Sequence, residues 1–250
     1  MYNIRIKYLP WRFLMNEFVL PIRVDIHDAD YNGVCRASAL LRYVQSAAQA
    51  QLNENGMSYN QLKSANRAFI ISRLRMEFDA PVYPYEALEA ITFPCESRGY
   101  SFLRCYQLNR GGIPVGRAVS IWALIDTEKR SLVRVNDFAL NLPLLPPLDL
   151  SVSHVRMPAE ITEVGTYTVS YADTDQNRHM NNTRYADMYA TFLPMDGMRI
   201  RSLSISYLAE APMGETLRVY RAYADGVYYL RTVREDGKTN TEAEIVLAEI

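Results

Sequence analysis

The first half of the chain carries one strong helix pattern between strand patterns. Residues 18–26 alternate between apolar and polar side chains and contain β-branched residues, which predicts a strand. Residues 36–56 place apolar side chains at helical spacing and end at Asn-Gly, which predicts a helix of about five to six turns. Four strand patterns follow, at residues 69–82, 86–100, 101–110 and 115–126.

The same order of elements restarts after residues 139–152, which contain three prolines and no periodic pattern. A strand is predicted at 163–172 and a shorter helix at 181–193. Further strand patterns occupy 198–211, 215–225, 226–236 and 238–250. The restart indicates a duplication. We therefore expect an N-terminal repeat at residues 15–138, a connector at 139–160 and a C-terminal repeat at 161–250.

Each repeat offers one helix to cover the apolar face of about five antiparallel strands. Joining the two sheets side by side would bury both helices. The pattern of elements therefore predicts an α+β fold made of two repeats.

Composition narrows the possible partners. The chain has 250 residues, 49% hydrophobic and 22% charged, and a formal net charge of -1, so it has no overall field to hold nucleic acid or an anionic membrane. No run approaches the roughly 20 apolar residues of a membrane span, and the first residues lack a signal-peptide pattern, so we expect a cytoplasmic protein. Cys35, Cys95 and Cys105 lack CxxC spacing, which indicates neither a disulfide framework nor a zinc site.

A dense polar segment, DTDQNRHMNNTRY, occupies residues 173–185, where the predicted strand at 163–172 leads into the predicted helix at 181–193. Residues 28–34, DADYNGV, repeat its Asp-x-Asp-x-Asn frame in the first half. Val34 stands there where the later copy has His179. One repeat therefore carries a candidate site, and the other carries a copy without its histidine.

Calcium binding and helix capping are the two simple explanations of these aspartates. A calcium loop would close with Glu at its twelfth position, where this chain has Ala39 and Arg184, so calcium is disfavoured. Asp28, Asp30 and Asp173 are instead expected to cap the helices that follow them.

Capping does not account for His179, because the positive end of a helix favours a neutral imidazole, which suits a general base. In an extended lead-in, Asp175, Asn177 and His179 would point to the same side. The backbone N–H groups of residues 180–182 are candidate donors to an oxyanion. Glu210 ends a strand, and the sequence leaves open whether it is a solvated strand end or a fourth member of the site.

These residues resemble the acyl-acyl carrier protein thioesterases, a family that includes plant plastid enzymes and bacterial relatives. The plant family carries an Asp-x-Asn-x-His-x-Asn-Asn segment, matched here by Asp175, Asn177, His179, Asn181 and Asn182. Its later Glu-Cys pair is matched by Glu210, but Ala211 replaces the cysteine. Residues 68–93 and 119–135 also resemble the family. The likeness begins near Phe18, which leaves open whether residues 1–14 belong to the native chain.

The resemblance implies a tandem hot-dog, in which a curled antiparallel sheet wraps a long helix in each repeat. It also implies hydrolysis of fatty acyl-acyl carrier protein thioesters, with no cofactor and no metal, by a monomer or homodimer whose partner is the acyl carrier protein. The catalytic residues would be Asp175, Asn177, His179 and Glu210. Because Ala211 removes the thiol, we expect water to attack: Glu210 and His179 deprotonate it, Asn177 fixes the water or the carbonyl, and Asp175 orients the network.

The acyl chain is expected to lie against the first repeat, beside small or aliphatic residues of its helix. These are Ala37, Ala39, Leu40, Leu41, Val44, Ala47 and Ala48. The alternative is that they only allow close packing of helix on sheet. An arginine-rich rim would receive the acidic carrier protein. Three other functions stay open: a hot-dog hydrolase of coenzyme A thioesters, a dehydratase of 3-hydroxyacyl chains, and a non-catalytic acyl-binding protein.

Overall fold

The computed structural model describes residues 16–250, so the question about residues 1–14 lies outside it. The first half contains β1 (Phe18–Arg23), α1 (Ala37–Glu54), α2 (Tyr59–Ser64), β2 (Arg67–Phe78), β3 (Ala87–Pro94), β4 (Phe102–Arg110), β5 (Ile113–Asp126) and β6 (Ser131–Val133). The second half contains β7 (Thr162–Thr168), α3 (Arg184–Ala190), β8 (Met198–Tyr207), β9 (Thr216–Ala224), β10 (Val227–Val233) and β11 (Thr239–Glu249).

All these strands belong to one antiparallel sheet with a near-symmetric order. The order is β1-β3-β4-β5-β2-β8-β11-β10-β9-β7, with the short β6 paired to β5. The second half repeats the order of the first in reverse, so the two repeats meet at β2 and β8. That junction is antiparallel and runs from the pair Arg73–Ser206 to the pair Glu77–Ser202. The halves therefore share one sheet, as the duplication predicts.

α1 lies inside the curl of the sheet. Its Leu41, Val44 and Ala47 side chains are completely buried. Burying a leucine or valine side chain contributes about 1.5–3 kcal/mol, so this helix face anchors the first repeat. α1 also packs against α3, where Ser38 Oγ donates a hydrogen bond of 2.6 Å to Asp187. The predicted α+β tandem hot-dog is confirmed.

α3 is shorter than the predicted helix at 181–193. At its start, the Asn181 side chain accepts bonds from the backbone N–H and the hydroxyl of Thr183, which holds these residues in a turn. At its end, residues 191–193 form a tightened turn with i to i+3 bonds just before Pro194. These local hydrogen bonds shorten α3 by three residues at each end relative to the predicted helix.

α2 was missed in the sequence, although its start carries a recognisable signal. Ser58 and Gln61 form a reciprocal capping box, in which each side chain accepts from the other residue's backbone N–H. The spacing Ser-x-x-Gln directly before a helix is the sequence form of that box. The helix has only six residues, too few to show a periodic pattern.

Residues 139–161 contain no helix or strand and cross the outer face of the first repeat. Leu148 and Leu150 pack there on a small cluster that includes Cys95 and Cys105. No helix within residues 16–250 combines the length and the hydropathy that a bilayer span requires.

Candidate active site

The polar segment of the second repeat is a tight turn, so the predicted extended lead-in is wrong. The Asp175 backbone N–H donates to the carbonyl of His179 at 3.0 Å, and Arg178 N–H returns to the carbonyl of Asp175 at 2.9 Å. Arg178 adopts φ 64°, a left-handed conformation that closes the turn. Asp175 Oδ1 accepts the backbone N–H of Asn177 at 2.8 Å. Asp175 therefore braces the loop.

This loop is fastened to the chain that leaves β8. Met180 N–H donates to the carbonyl of Ala211 at 2.8 Å, and His179 pairs with Pro212 in an antiparallel bridge. The buried Asn240 holds the preceding residues, because its carbonyl accepts from Leu208 and Ala209. These bonds fix the loop beside the end of the strand.

His179 and Glu210 meet at this point. His179 Nδ1 lies 3.3 Å from Glu210 Oε2, and their side chains are 35% and 68% exposed. Glu210 is therefore solvated, as the simpler interpretation held, and it is also in contact with the histidine. Within residues 16–250, no hydrogen-bonding group contacts Nε2 of His179, so that nitrogen is available for a water or a substrate.

Asn177 belongs to the same group through a residue that the sequence did not single out. The hydroxyl of Tyr59, on α2, donates to Asn177 Oδ1 at 3.0 Å. The contact crosses from the first repeat to the second. Tyr59 was missed because α2 was missed.

A cavity of about 1050 Å³, here called the main cavity, begins at this group and extends into the first repeat. Asp175, Asn177, His179 and Glu210 all line it. The side of the first repeat contributes residues of α1, α2, β2, β4 and β5. The four predicted residues therefore share one cavity, although they do not share one side of an extended strand.

The wall that α1 presents to the main cavity differs from the expected one. The α1 residues lining it are Arg42, Tyr43, Gln45, Ser46, Ala48, Gln49 and Leu52. Of the seven residues expected to line an acyl tunnel, only Ala48 is among them. Ala39, Leu41, Val44 and Ala47 are packed in the core, and Ala37 and Leu40 line a second cavity. The small residues of α1 serve close packing, and its cavity face is largely polar.

Two of the three expected oxyanion donors are already used. Met180 N–H is bonded to Ala211, and Asn181 N–H donates to the carbonyl of Asp173 at 2.8 Å. Among the described residues, no acceptor is bonded to the N–H of Asn182. The carbonyl of Asn182 accepts from the Tyr207 hydroxyl at 2.9 Å, which holds the next peptide group, between Asn182 and Thr183, at the cavity wall.

The predicted capping roles of the aspartates are wrong. The residues that precede α1 and α3, Arg36 and Thr183, make no side-chain cap, and none of the three aspartates supplies one. Asp28 binds Arg42 and Tyr43 on the side of α1. Asp30 accepts from the backbone of its own loop, at Asn32 N–H.

Asp173 instead closes the 3-10 turn before the loop. Its carboxylate accepts from the hydroxyl and backbone N–H of Ser170 at 2.6 and 2.8 Å and from the Tyr167 hydroxyl at 2.9 Å. Burial alone would raise the pKa of Asp173, but these hydrogen bonds outweigh it and hold the pKa below its ordinary value. The aspartates brace loops rather than helix ends.

None of the three cysteines lines the main cavity. Cys35 borders the second cavity, and burial together with the Asp28 charge raises the pKa of its thiol to about 12. Cys95 and Cys105 are completely buried under the connector. Ala211, at the position of the family's cysteine, is itself completely buried. None of the three cysteines therefore supplies a thiolate nucleophile beside His179.

Two of the cations that line the main cavity are paired with carboxylates. Arg42 pairs with Asp28, and Arg67 pairs with Asp126 at 2.7 Å. Lys63 is exposed and lies 5.8 Å from the centre of the Tyr59 ring. Together with the buried Arg104, these three are the lysines and arginines that line the cavity.

Two family models match nearly the whole chain. The acyl-ACP thioesterase N-terminal domain matches residues 16–141, and the acyl-ACP thioesterase C-terminal domain matches residues 157–249. No curated protein matches the chain.

Solved structures share the fold at low identity. An acyl-ACP thioesterase from Bacteroides thetaiotaomicron is 20% identical, with a TM-score of 0.82 over 93% of this chain and 98% of that one. A putative oleoyl thioesterase from Lactobacillus plantarum is 16% identical, with a TM-score of 0.79 over 94% and 96%. A 12:0-ACP thioesterase from Umbellularia californica is 14% identical, with a TM-score of 0.79 over 96% and 100%.

Proposed function

The chain belongs to the acyl-ACP thioesterase family and is a thioester hydrolase, and on this premise we propose that it hydrolyses fatty acyl-acyl carrier protein thioesters. The products would be a free fatty acid and the holo-carrier protein. The observation that carries the proposal is the His179–Glu210 contact of 3.3 Å at a cavity that reaches from one repeat into the other.

Water is the proposed nucleophile. Glu210 accepts the Nδ1–H of His179, which leaves the lone pair of Nε2 to take a proton from water. The water oxygen bonds to the thioester carbonyl carbon, and the carbon–sulfur bond then breaks. The imidazolium returns its proton to the departing thiolate of the carrier protein. Atoms and charges balance with no cofactor.

The other polar groups have supporting roles in this proposal. The free N–H of Asn182 stabilises the oxyanion of the tetrahedral intermediate. Asn177, held by Tyr59, fixes the attacking water or the carbonyl. Asp175 holds the loop that carries Asn177 and His179.

The two repeats would then divide the work. The C-terminal repeat, residues 161–250, carries the reacting groups, and the N-terminal repeat, residues 15–138, encloses the acyl chain, with residues 139–160 joining them. Arg42, Lys63 and Arg67 are the basic groups that we assign to the reception of the acidic carrier protein. This assignment follows from charge complementarity.

Glu210→Gln and His179→Ala, made separately, test the proposal by release of thiol from acyl carrier protein substrates. Each is expected to lower kcat by about 10² to 10⁴. Near-normal turnover in either variant would remove that residue from the mechanism. The same acyl chain on coenzyme A is the comparison substrate: preferred hydrolysis of coenzyme A thioesters would replace the carrier protein as the substrate. Tight acyl binding without thiol release would instead indicate a binding protein.

A further inference from the structure

The main cavity contains an arginine that the proposed mechanism does not use. Arg104, on β4, is only 7% exposed, and it lines the cavity. Its Nη1 donates to Gln51 Oε1 on α1 at 2.6 Å and to the Thr92 hydroxyl on β3 at 3.0 Å. Both acceptors are neutral. Its other nitrogens, Nε and Nη2, make no hydrogen bond within residues 16–250.

Arg104 has no carboxylate partner. The ion pairs of the described residues involve other cations. Burial lowers the pKa of the Arg104 guanidinium, but an arginine stays protonated in proteins. A buried charge without a counter-charge costs several kcal/mol of desolvation, so the folded protein retains an unfavourable group at this position.

Among the described residues, the part of the cavity around Arg104 contributes no carboxylate that could accept a hydrogen bond from its guanidinium. Gln45 Nε2, on the α1 wall of the same cavity, is a buried donor with no partner. The acidic residues that line the cavity are Asp175 and Glu210, and both belong to the reacting group in the second repeat. The wall in the first repeat thus offers an unused buried donor and, at Arg104, a buried positive charge without an ion pair.

Arg104 is far from the reacting group. Its strand, β4, is separated from β8 by β5 and β2. Three interstrand steps of about 4.7–4.9 Å make a path of roughly 14 Å along the curled sheet. Arg104 is in register with Ser120, Leu74 and Ile205, so Glu210 also lies five residues further along the chain. An acyl chain bound at His179 would therefore meet Arg104 with its far end.

We propose that the enzyme takes acyl chains whose far end carries an anionic oxygen, an ω-carboxylate, which binds the free edge of the Arg104 guanidinium. The inference rests on the proposed function and names the substrate class for the same cavity. A carboxylate supplies the missing charge and accepts from Nε and Nη2, the bidentate geometry that arginine favours. A methyl end would desolvate the guanidinium and leave it unpaired.

Pairs of acyl carrier protein thioesters with equal carbon number, one ending in methyl and one in a carboxylate, test the substrate class over a series of lengths. At the best length we expect kcat/KM to favour the carboxylate by at least about 100-fold, because a site built for a polar group strongly rejects an analogue without it. Arg104→Leu should reverse this preference, and Arg104→Lys, which keeps the charge, should retain part of it. Thermal unfolding checks that both variants fold.

Binding of a free α,ω-dicarboxylic acid is measured in parallel by calorimetry, since it needs no turnover. Tighter binding of the dicarboxylic than of the monocarboxylic acid, lost in Arg104→Leu, supports the inference even if carrier protein thioesters prove poor substrates and the proposed function fails. Equal hydrolysis of the two kinds of thioester and equal binding of the two free acids, both unchanged by Arg104→Leu, overturn the inference and leave the proposed function standing. A variant that merely accepts longer saturated chains also overturns it, because Arg104 would then only limit the length of the cavity.

Discussion

The loops at residues 28–35 and 173–180 make matching backbone hydrogen bonds but carry different side chains. In both, the second aspartate accepts the N–H of the asparagine two residues later, at 2.9 Å for Asp30 and 2.8 Å for Asp175. Each loop is also tied to the segment that follows a strand, by Cys35 N–H to Val82 O at 2.7 Å in the first copy. The second copy makes the matching bond from Met180 to Ala211 at 2.8 Å.

The two loops differ at the positions of the histidine and the glutamate and in the contacts of the asparagine. Val34, 2% exposed, occupies the place of His179, and Pro81, directly before Val82, occupies the place of Glu210. Asn32 is fully bonded, because its amide reaches Met195 O, Met198 O and Gly197 N–H across the repeat boundary. Asn177 is exposed and makes one side-chain bond, to Tyr59. The asparagine of the first loop holds the two repeats together, and the asparagine of the second loop is exposed and lines the main cavity.

The largest effect on turnover is expected from His179→Val, which gives the second loop the valine that the first loop has at Val34. Turnover should fall about 10² to 10⁴-fold, because the general base is removed while the loop's backbone bonds are kept. Thiol release from acyl carrier protein measures it. Val34→Thr, a change of polarity in the opposite direction at the equivalent position of the first loop, should leave turnover intact. Comparable losses in both variants would mean that the loops act alike.

Asn32→Ala and Asn177→Ala separate the structural asparagine from the functional one. Loss of three cross-repeat bonds should lower the free energy of unfolding by about 2–3 kcal/mol in Asn32→Ala. Asn177→Ala should unfold nearly as the native protein does but hydrolyse more slowly. Urea denaturation and steady-state kinetics measure the two effects. The interpretation fails if Asn177→Ala is the more destabilised variant.

Asp173→Asn is expected to give a pH-dependent loss of stability. The pKa of Asp173 is lowered in the folded state, so its ionised form stabilises the fold above the ordinary pKa of 3.8. That stabilisation fades as the pH falls through the lower, folded-state pKa. The variant should be less stable by about 1–2 kcal/mol at pH 7 and should approach the native protein near pH 3. Unfolding by urea from pH 7 to 3 tests this, and a constant gap would contradict it.

The smallest effects are expected at the left-handed position that closes each loop. Gly33 has φ 78° and open space around its Cβ position, so Gly33→Ala should cost about 1 kcal/mol of backbone strain alone. Arg178, at φ 64°, already bears that strain. Arg178→Gly should change the free energy of unfolding by less than about 0.5 kcal/mol, because relieved strain is offset by the entropy of glycine. Thermal unfolding measures both, and a larger loss in Arg178→Gly would show that its side chain matters.

Much of the fold was accessible from periodicity, because each strand and α1 bury one regular face. α2 escaped because six residues cannot establish a period, and the ends of α3 escaped because side-chain bonds at Asn181 compete with the helix. The spacing of the polar residues identified the candidate site, but the backbone conformation expected to bring their side chains together was wrong. A turn closed by Arg178 brings Asp175, Asn177 and His179 to one cavity, where an extended strand was expected.

The sequence by itself determined the duplication, the family and the positions of the polar groups, because these depend on the order of residues along the chain. Only the tertiary structure decided that α1 turns a polar face to the cavity and packs its alanines against the sheet. It also decided that Glu210 contacts His179 and that Arg104 faces the cavity without a counter-ion. The physical reason is that these contacts join strands and helices far apart in sequence, and local spacing carries no information about which face of each element meets which partner.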